Sequence, residues 1–241
     1  MPGASKQLAA VVRHWESLET VLRDDGPAIS ADTPAGAKAL YRDVVAGLGA
    51  WLAPLAERAA DQLAAPGLHV LDVGAGAAPW SLALARRDPT TPVTAVDLPA
   101  VLPVTWHAVA ESGRAAQFEY LAGDLFTIEW EPSVYDLAIA GNVCHLFGET
   151  ANRGLLRRLF GALRPGGTLA ILDVVPSERL DGPRSAMLYV LGLLLRTGEG
   201  SAYPFSTYVA WLRAAGYEAI ERVDLAGAPP ITLITARRPP R

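Results

Sequence analysis

Cysteine is nearly absent: Cys144 is the one thiol in 241 residues. A lone cysteine excludes an internal disulfide framework and any zinc site built from several thiolates, so no metal is expected and a reducing, cytoplasmic setting is the simplest one. Lysine is almost as scarce, with Lys6 and Lys38 alone, and the net charge is −4. A large nucleic-acid surface needs clustered Lys and Arg; the compact basic stretch here is the terminal "ARRPPR", which reads as a fraying end. A long apolar run is missing too. The best candidate, "SAMLYVLGLLLRT", is too short to span a bilayer, and the first twenty residues carry Arg13, His14, Glu16 and Glu19 rather than a secretory apolar core. Neither nucleic acid nor membrane is an expected partner. What is abundant is apolar residue: 51% hydrophobic against 19% charged supports a sizeable packed core without staples.

Periodicity divides the chain in two. Over 5–24, Leu8, Val11, Val12, Trp15, Leu18 and Leu22 recur at helical spacing. Gly26, Pro27 and Pro34 interrupt it, and a second helical stretch covers about 36–65, with Pro54 marking a kink or a division into two helices. Residues 1–66 are thus expected to form a helical N-terminal segment. From residue 67 short apolar strands alternate with helices: "LHVLDV", "PVTAVDL", "QFEYLAGD", "YDLAIAGNV", "TLAILDVV" and two more near 217–224 and 230–236. That alternation predicts an α/β fold over 67–241, a mostly parallel seven-stranded sheet with helices on both faces. The glycines of "RPGG" suit a helix C-cap before the fifth strand. In such sheets ligands sit beyond the carboxyl ends of the strands.

The first of those ends reads "LDVGAGAAPW". A dinucleotide fingerprint needs a third glycine where Pro79 stands. Asp72, two residues before Gly74, has the wrong sign for a pyrophosphate and suits an ammonium better. The second strand ends in Asp97, whose carboxylate can accept both hydroxyls of a ribose. The third ends in Asp124, able to accept an exocyclic amine, with Leu125 and Phe126 beside it to cover a base. Any one of these aspartates could simply cap a turn. Three at successive strand ends, around a glycine loop, point to a nucleoside site.

These marks, with "VLDVGAG", "VDLPAV", "GDLF", "GNVCHLFGE", "LRPGG" and "LRAAGY" over about residues 10–236, make the sequence resemble the class I S-adenosylmethionine-dependent methyltransferases. Within them it resembles the small-molecule O-methyltransferases of plant phenolics and bacterial natural products, with a Rossmann-like fold. The resemblance implies S-adenosyl-L-methionine as cofactor, held by Asp72, Gly74, Gly76, Asp97, Leu98, Asp124, Leu125, Phe126, Asn142 and Phe147. It also implies that most of the family's usual N-terminal dimerisation domain is lacking, so a homodimer or a partner protein would have to use the N-terminal helices.

Methyl transfer is an in-line displacement; the enzyme aligns the reactants, excludes water and removes a proton from a hydroxyl acceptor. Histidine offers a free base near neutral pH, and His145 lies just past the fourth strand, where the family's catalytic histidine falls. Asp173, at the end of the fifth strand, corresponds to the family's orienting glutamate. Three departures from the plant pattern stand out. Leu146 and Phe147 follow the histidine in place of Asp-Trp, Gly141 replaces a basic residue, and the second glutamate falls near Ala202, with Glu199 close by. The helix containing Met187, Tyr189 and Leu191 matches the acceptor-pocket region of the family. The expected function is O-methylation of a small aromatic or polyketide-like hydroxyl. The alternatives are a cofactor-binding family member that does not methylate, as a partner subunit or in other natural-product chemistry, and, more remotely, a nicotinamide dehydrogenase.

Overall fold

The computed structural model describes residues 15–16, 18–24, 26–27, 30–31, 36, 45–227 and 230–240. Much of the expected helix over 5–24, including Leu8, Val11 and Val12, lies outside the described residues; α1 (Leu18–Arg23) lies within it. Of the second helical stretch, α2 (Val45–Leu63) runs through Pro54 without dividing. Its buried face, Leu52, Leu55, Ala56, Ala59 and Ala60, packs into the same apolar cluster as the sheet.

The remaining elements follow the predicted alternation. They are β1 (Val70–Val73), α3 (Pro79–Arg87), β2 (Val93–Asp97), α4 (Leu102–Glu111), β3 (Phe118–Ala122) and β4 (Tyr135–Gly141), then α5 (Glu149–Ala162), β5 (Leu163–Asp173), α6 (Arg184–Leu194), α7 (Phe205–Ala214), β6 (Glu218–Leu225) and β7 (Ile231–Arg237). One seven-stranded sheet has the order β3-β2-β1-β4-β5-β7-β6. β7 runs antiparallel to both its neighbours, and the other pairings are parallel. Every residue of β1 and β2 is buried, as continuous apolar runs flanked by helices on both faces should be.

Alternation along each strand sends neighbours to opposite faces. Val70 and Ile139 join Leu55, Trp80 and Ala83 on the face covered by α2 and α3. Leu71, Ala138 and Ala140 join Leu155, Leu159, Tyr208 and Trp211 on the face covered by α5 and α7. The winding direction reverses between β1 and β4, and a crevice opens there at the carboxyl ends of the parallel strands.

One local expectation fails. "RPGG" is not a helix C-cap but part of β5, where the pairing with β4 jumps from Tyr135↔Leu163 to Leu137↔Thr168. Gly166 takes the bulge's left-handed backbone at φ 82°. A Cβ on Gly167 would meet Arg164 O at 2.9 Å and Tyr135 O at 3.1 Å. Glycine serves both a C-cap and a bulge for the same reason, freedom at positive φ and close backbone approach, so the residue type alone does not separate them.

Candidate active site

The carboxyl ends of β1, β2, β3 and β4 line a cleft of about 1020 Å³, part of it open to solvent. Its floor is the loop after β1. Gly74 and Gly76 hold φ of 65° and 55°, and a Cβ on Gly74 would lie 2.6 Å from Val143 Cγ2. The next wall is Asp97, whose Oδ2 accepts from Gly76 N at 2.8 Å and whose Oδ1 accepts from Leu98 N at 2.7 Å. Burial pushes its carboxyl up to about 6, against the opposing pull of those two amides. Each oxygen keeps a second lone pair for a ligand hydroxyl.

Asp124 caps its own turn, accepting from Phe126 N at 2.8 Å, and still lines the cleft with Leu125 and Phe126. Phe126 meets Phe147 edge to face at 4.8 Å between centroids, so two aromatic rings border the place where a base would lie. Arg158 of α5 braces this loop from behind. Its Nε donates to Leu125 O at 3.1 Å, its terminal nitrogen to Ile128 O, and its guanidinium lies 4.7 Å from the Trp130 ring centroid. At the end of β4, Asn142 stands at φ 59°. Its Oδ1 is buried and meets no donor among the described residues, although the residue lines the cleft.

Asp72 is elsewhere. Its carboxylate is 1% exposed and accepts from Ser81 Oγ of α3 at 2.5 Å; it is not part of the cleft wall. Burial, with the Asp97 charge adding to it, pushes this carboxyl up to about 7 despite the Ser81 bond.

His145 sits in a 3-10 turn, Cys144–Leu146, directly after β4. Because β4 and β5 pair with Gly141 opposite Leu172, Asp173 arrives beside it. His145 Nδ1 lies 2.7 Å from Asp173 Oδ1, and the His145 amide donates to Asp173 Oδ2 at 3.1 Å. A carboxylate accepts only, so Nδ1 carries the proton and the lone pair is left on Nε2. The imidazole is 4% exposed and does not face the cleft, whereas Asn142, Val143, Leu146 and Phe147 around it do. Instead, the Tyr189 hydroxyl lies over its face, 3.0 Å from Nε2 and 3.4 Å from Nδ1.

Of the acceptor-side residues, Met187 and Tyr189 pack against the apolar cluster that includes Trp80. Leu191 points outward, 39% exposed. Glu199 lies against Gly148, where a Cβ would stand 2.6 Å from its Oε2. Sequence reading passed over Trp80, Leu146, Val143 and the α2 residues Val45, Leu48, Gly49 and Leu52, all of which line the cleft. Trp80 had a visible signal, a large aromatic at the first turn of a helix that follows a glycine loop. The α2 residues had none, because their apolar spacing is that of any core helix. Among the described residues no cluster of side chains suits a metal, and no helix is long and apolar enough to cross a membrane.

Residues 56–218 match the family of O-methyltransferase domains. A 3-hydroxy-5-methyl-1-naphthoate 3-O-methyltransferase of Streptomyces sahachiroi is 31% identical over 158 residues, 66% of this chain and 45% of that protein. An L-tyrosine C(3)-methyltransferase of Streptomyces lavendulae is 30% identical over 172 residues, 70% of this chain and 47% of that one. The chain therefore spans about half the length of these relatives. A solved protein from Nostoc punctiforme superposes with a TM-score of 0.84 at 24% identity, over 94% of this chain and 68% of that one, and shares the fold.

Proposed function

The chain belongs to the family of O-methyltransferase domains, and from that premise we propose that it transfers a methyl group from S-adenosylmethionine to a hydroxyl of a small aromatic or polyketide-like acceptor. The observation that carries the reading is the buried His145–Asp173 pair, 2.7 Å apart, set beside a cleft whose donor set fits the cofactor. The fit rests on three features. Asp97 offers two carboxylate oxygens to a ribose, the Phe126 and Phe147 rings border a base, and Asn142 Oδ1 wants a donor, which an ammonium supplies.

Gly74, Gly76, Leu98 and Leu125 would complete the cofactor's contacts, and Asp124 would accept from the adenine amine. The bound cofactor supplies an electrophilic methyl on a sulfonium. Asp173 holds the imidazole in one tautomer, and His145 takes the acceptor's proton. The S. sahachiroi relative, named for an aromatic hydroxyl, supports an acceptor of that class, and the lone buried thiol suits a cytoplasmic setting.

Titration calorimetry with S-adenosylhomocysteine tests the cofactor site, and its release from S-adenosylmethionine with a panel of phenols tests the transfer. A second reading is favoured by one observation, the Tyr189 hydroxyl packed over the buried His145 ring: the cofactor binds but no methyl leaves. That reading expects calorimetric binding and no product with any acceptor.

A further inference from the structure

The cleft wall is short of donors. Among the described residues that line it, the charged ones are Asp97 and Asp124, and none is a lysine or an arginine. Three amides of the glycine loop are already taken: Gly74 N and Ala75 N donate to Val96 O at 2.8 and 3.1 Å, and Gly76 N donates to Asp97. A carboxylate carried into this cleft therefore has to find a neutral donor. Side-chain N–H groups come from two of the described lining residues, Asn142 and Trp80.

The Trp80 indole is open to that use. Its N–H meets no acceptor among the described residues, and Nε1 is not one of the buried, unpartnered atoms, which are Asn142 Oδ1, Asn152 Oδ1 and the Tyr208 hydroxyl oxygen. An unpartnered nitrogen that is not closed in, on a residue that lines the cleft, faces the cleft. Gly141 does not block it. A Cβ there would lie 2.3 Å from Nε1 and Cδ1 but 3.2 Å from Cε2; these distances put it over the face of the five-membered ring, across the N–H direction and not along it. Next in the chain is Asn142, whose Oδ1 lacks a donor. An open donor and an unpartnered acceptor thus meet at the end of β4, as the two charged groups on an amino acid's α-carbon require. Trp80 also lies in the first turn of α3, whose cap residue Ala78 makes no side-chain cap bond, so an anion beside it gains from the helix N-terminus.

We propose that the Trp80 N–H binds the carboxylate at the amino-acid end of the cofactor, with Asn142 Oδ1 taking the ammonium beside it. The proposal deepens the cofactor site described above and rests on it. An indole N–H donates and accepts nothing, so it tells the carboxylate from the ammonium and fixes which way round that end lies. A hydrogen bond to a charged group is strengthened in a site shielded from water.

Titration calorimetry of the parent and of Trp80→Phe isolates the carboxylate when S-adenosylhomocysteine is compared with its decarboxylated analogue, which keeps the ammonium. The parent should prefer S-adenosylhomocysteine. Trp80→Phe should bind it about 10-fold more weakly, the scale of one hydrogen bond to a charged group, and bind the analogue as the parent does. In the parent itself, the ¹H–¹⁵N resonance of the Trp80 indole, assigned through its contact with the Gly141 α-protons, should move downfield with S-adenosylhomocysteine well beyond any shift with the analogue. That second measurement decides the matter if Trp80→Phe does not fold. Equal weakening of both ligands makes the indole a packing contact and overturns the proposal, as does unchanged binding of both. So does an indole resonance that moves alike with the two ligands or with neither. A parent that binds neither ligand overturns the cofactor site itself, and the proposal with it.

Discussion

Trp80 occupies the space in front of Gly141. A Cβ built on Gly141 would lie 2.3 Å from both Cδ1 and Nε1 of the indole. The position where the plant enzymes carry a basic residue is therefore filled here from a different element, the first turn of α3. Overpacking of a buried site costs about 1–3 kcal/mol, so Gly141→Ala should lower stability by about that much. In a Trp80→Leu background most of the cost should vanish, leaving a coupling energy of about 1 kcal/mol or more in a denaturation double-mutant cycle. Additive losses would mean that Trp80 does not hold that place.

Asp173 makes three hydrogen bonds, to the His145 ring, to the His145 amide and, at 2.8 Å, to the Val174 amide. Asp173→Asn keeps the shape and loses the charge. It can present an N–H where Nδ1–H needs an acceptor, turning the imidazole to the wrong tautomer. We expect kcat to fall about 100-fold or more, with S-adenosylhomocysteine affinity unchanged by calorimetry because the residue lies off the cleft wall. A matching loss of cofactor affinity would assign Asp173 to cleft architecture instead.

The two acidic strand ends give opposite pH trends for stability and for binding. Asp72 and Asp97 are pushed by burial up to about 7 and about 6, above the ordinary carboxylate value of about 4. The folded protein therefore holds more protons than the unfolded chain between roughly pH 4 and pH 7, and stability from these groups rises as pH falls through that window. Thermal denaturation of the ligand-free protein should show a higher midpoint near pH 5 than near pH 8. The midpoint gain on adding S-adenosylhomocysteine should shrink over the same range, because a protonated Asp97 can no longer accept two hydroxyls. Parallel trends in the two measurements would argue that Asp97 is not the ribose anchor.

The sheet was legible because buried parallel strands write themselves as apolar runs. "VLDV" and "VTAVD" could hardly be anything else between helices. The aspartate at each strand end was equally visible, but the direction of each side chain was not. Asp72 and Asp97 look alike in sequence. One turns to Ser81 under α3 and the other to the cleft, a distinction of depth and not of face. Asp72 pairs with Ala95 and so shares a side of the sheet with Asp97, but it lies inside β1 whereas Asp97 ends β2. His145 was found by its place after β4. Its orientation, away from the cleft and against Tyr189, depends on a 3-10 turn with no hydrophobic period to read. Trp80 went unassigned because an apolar residue at a helix start reads as core, which it also is.

The glycine loop carries a further distinction. Gly74 and Ala78 both stand in the left-handed region, at φ 65° and 52°, but only the first is a glycine. Gly74→Ala adds a Cβ 2.6 Å from Val143 Cγ2 in a backbone conformation that costs an L-residue about 1–2 kcal/mol. It should destabilise by about 2 kcal/mol or more and weaken S-adenosylhomocysteine binding, since Val143 lines the same cleft. Ala78 already bears that backbone cost, fully buried at the start of α3. Ala78→Gly removes it and adds about 0.5–1 kcal/mol of unfolded-state entropy, so stability should hold level or rise by up to about 1 kcal/mol in urea titration. A large loss of stability in Ala78→Gly would mean that the alanine methyl is a packing contact and not a tolerated strain.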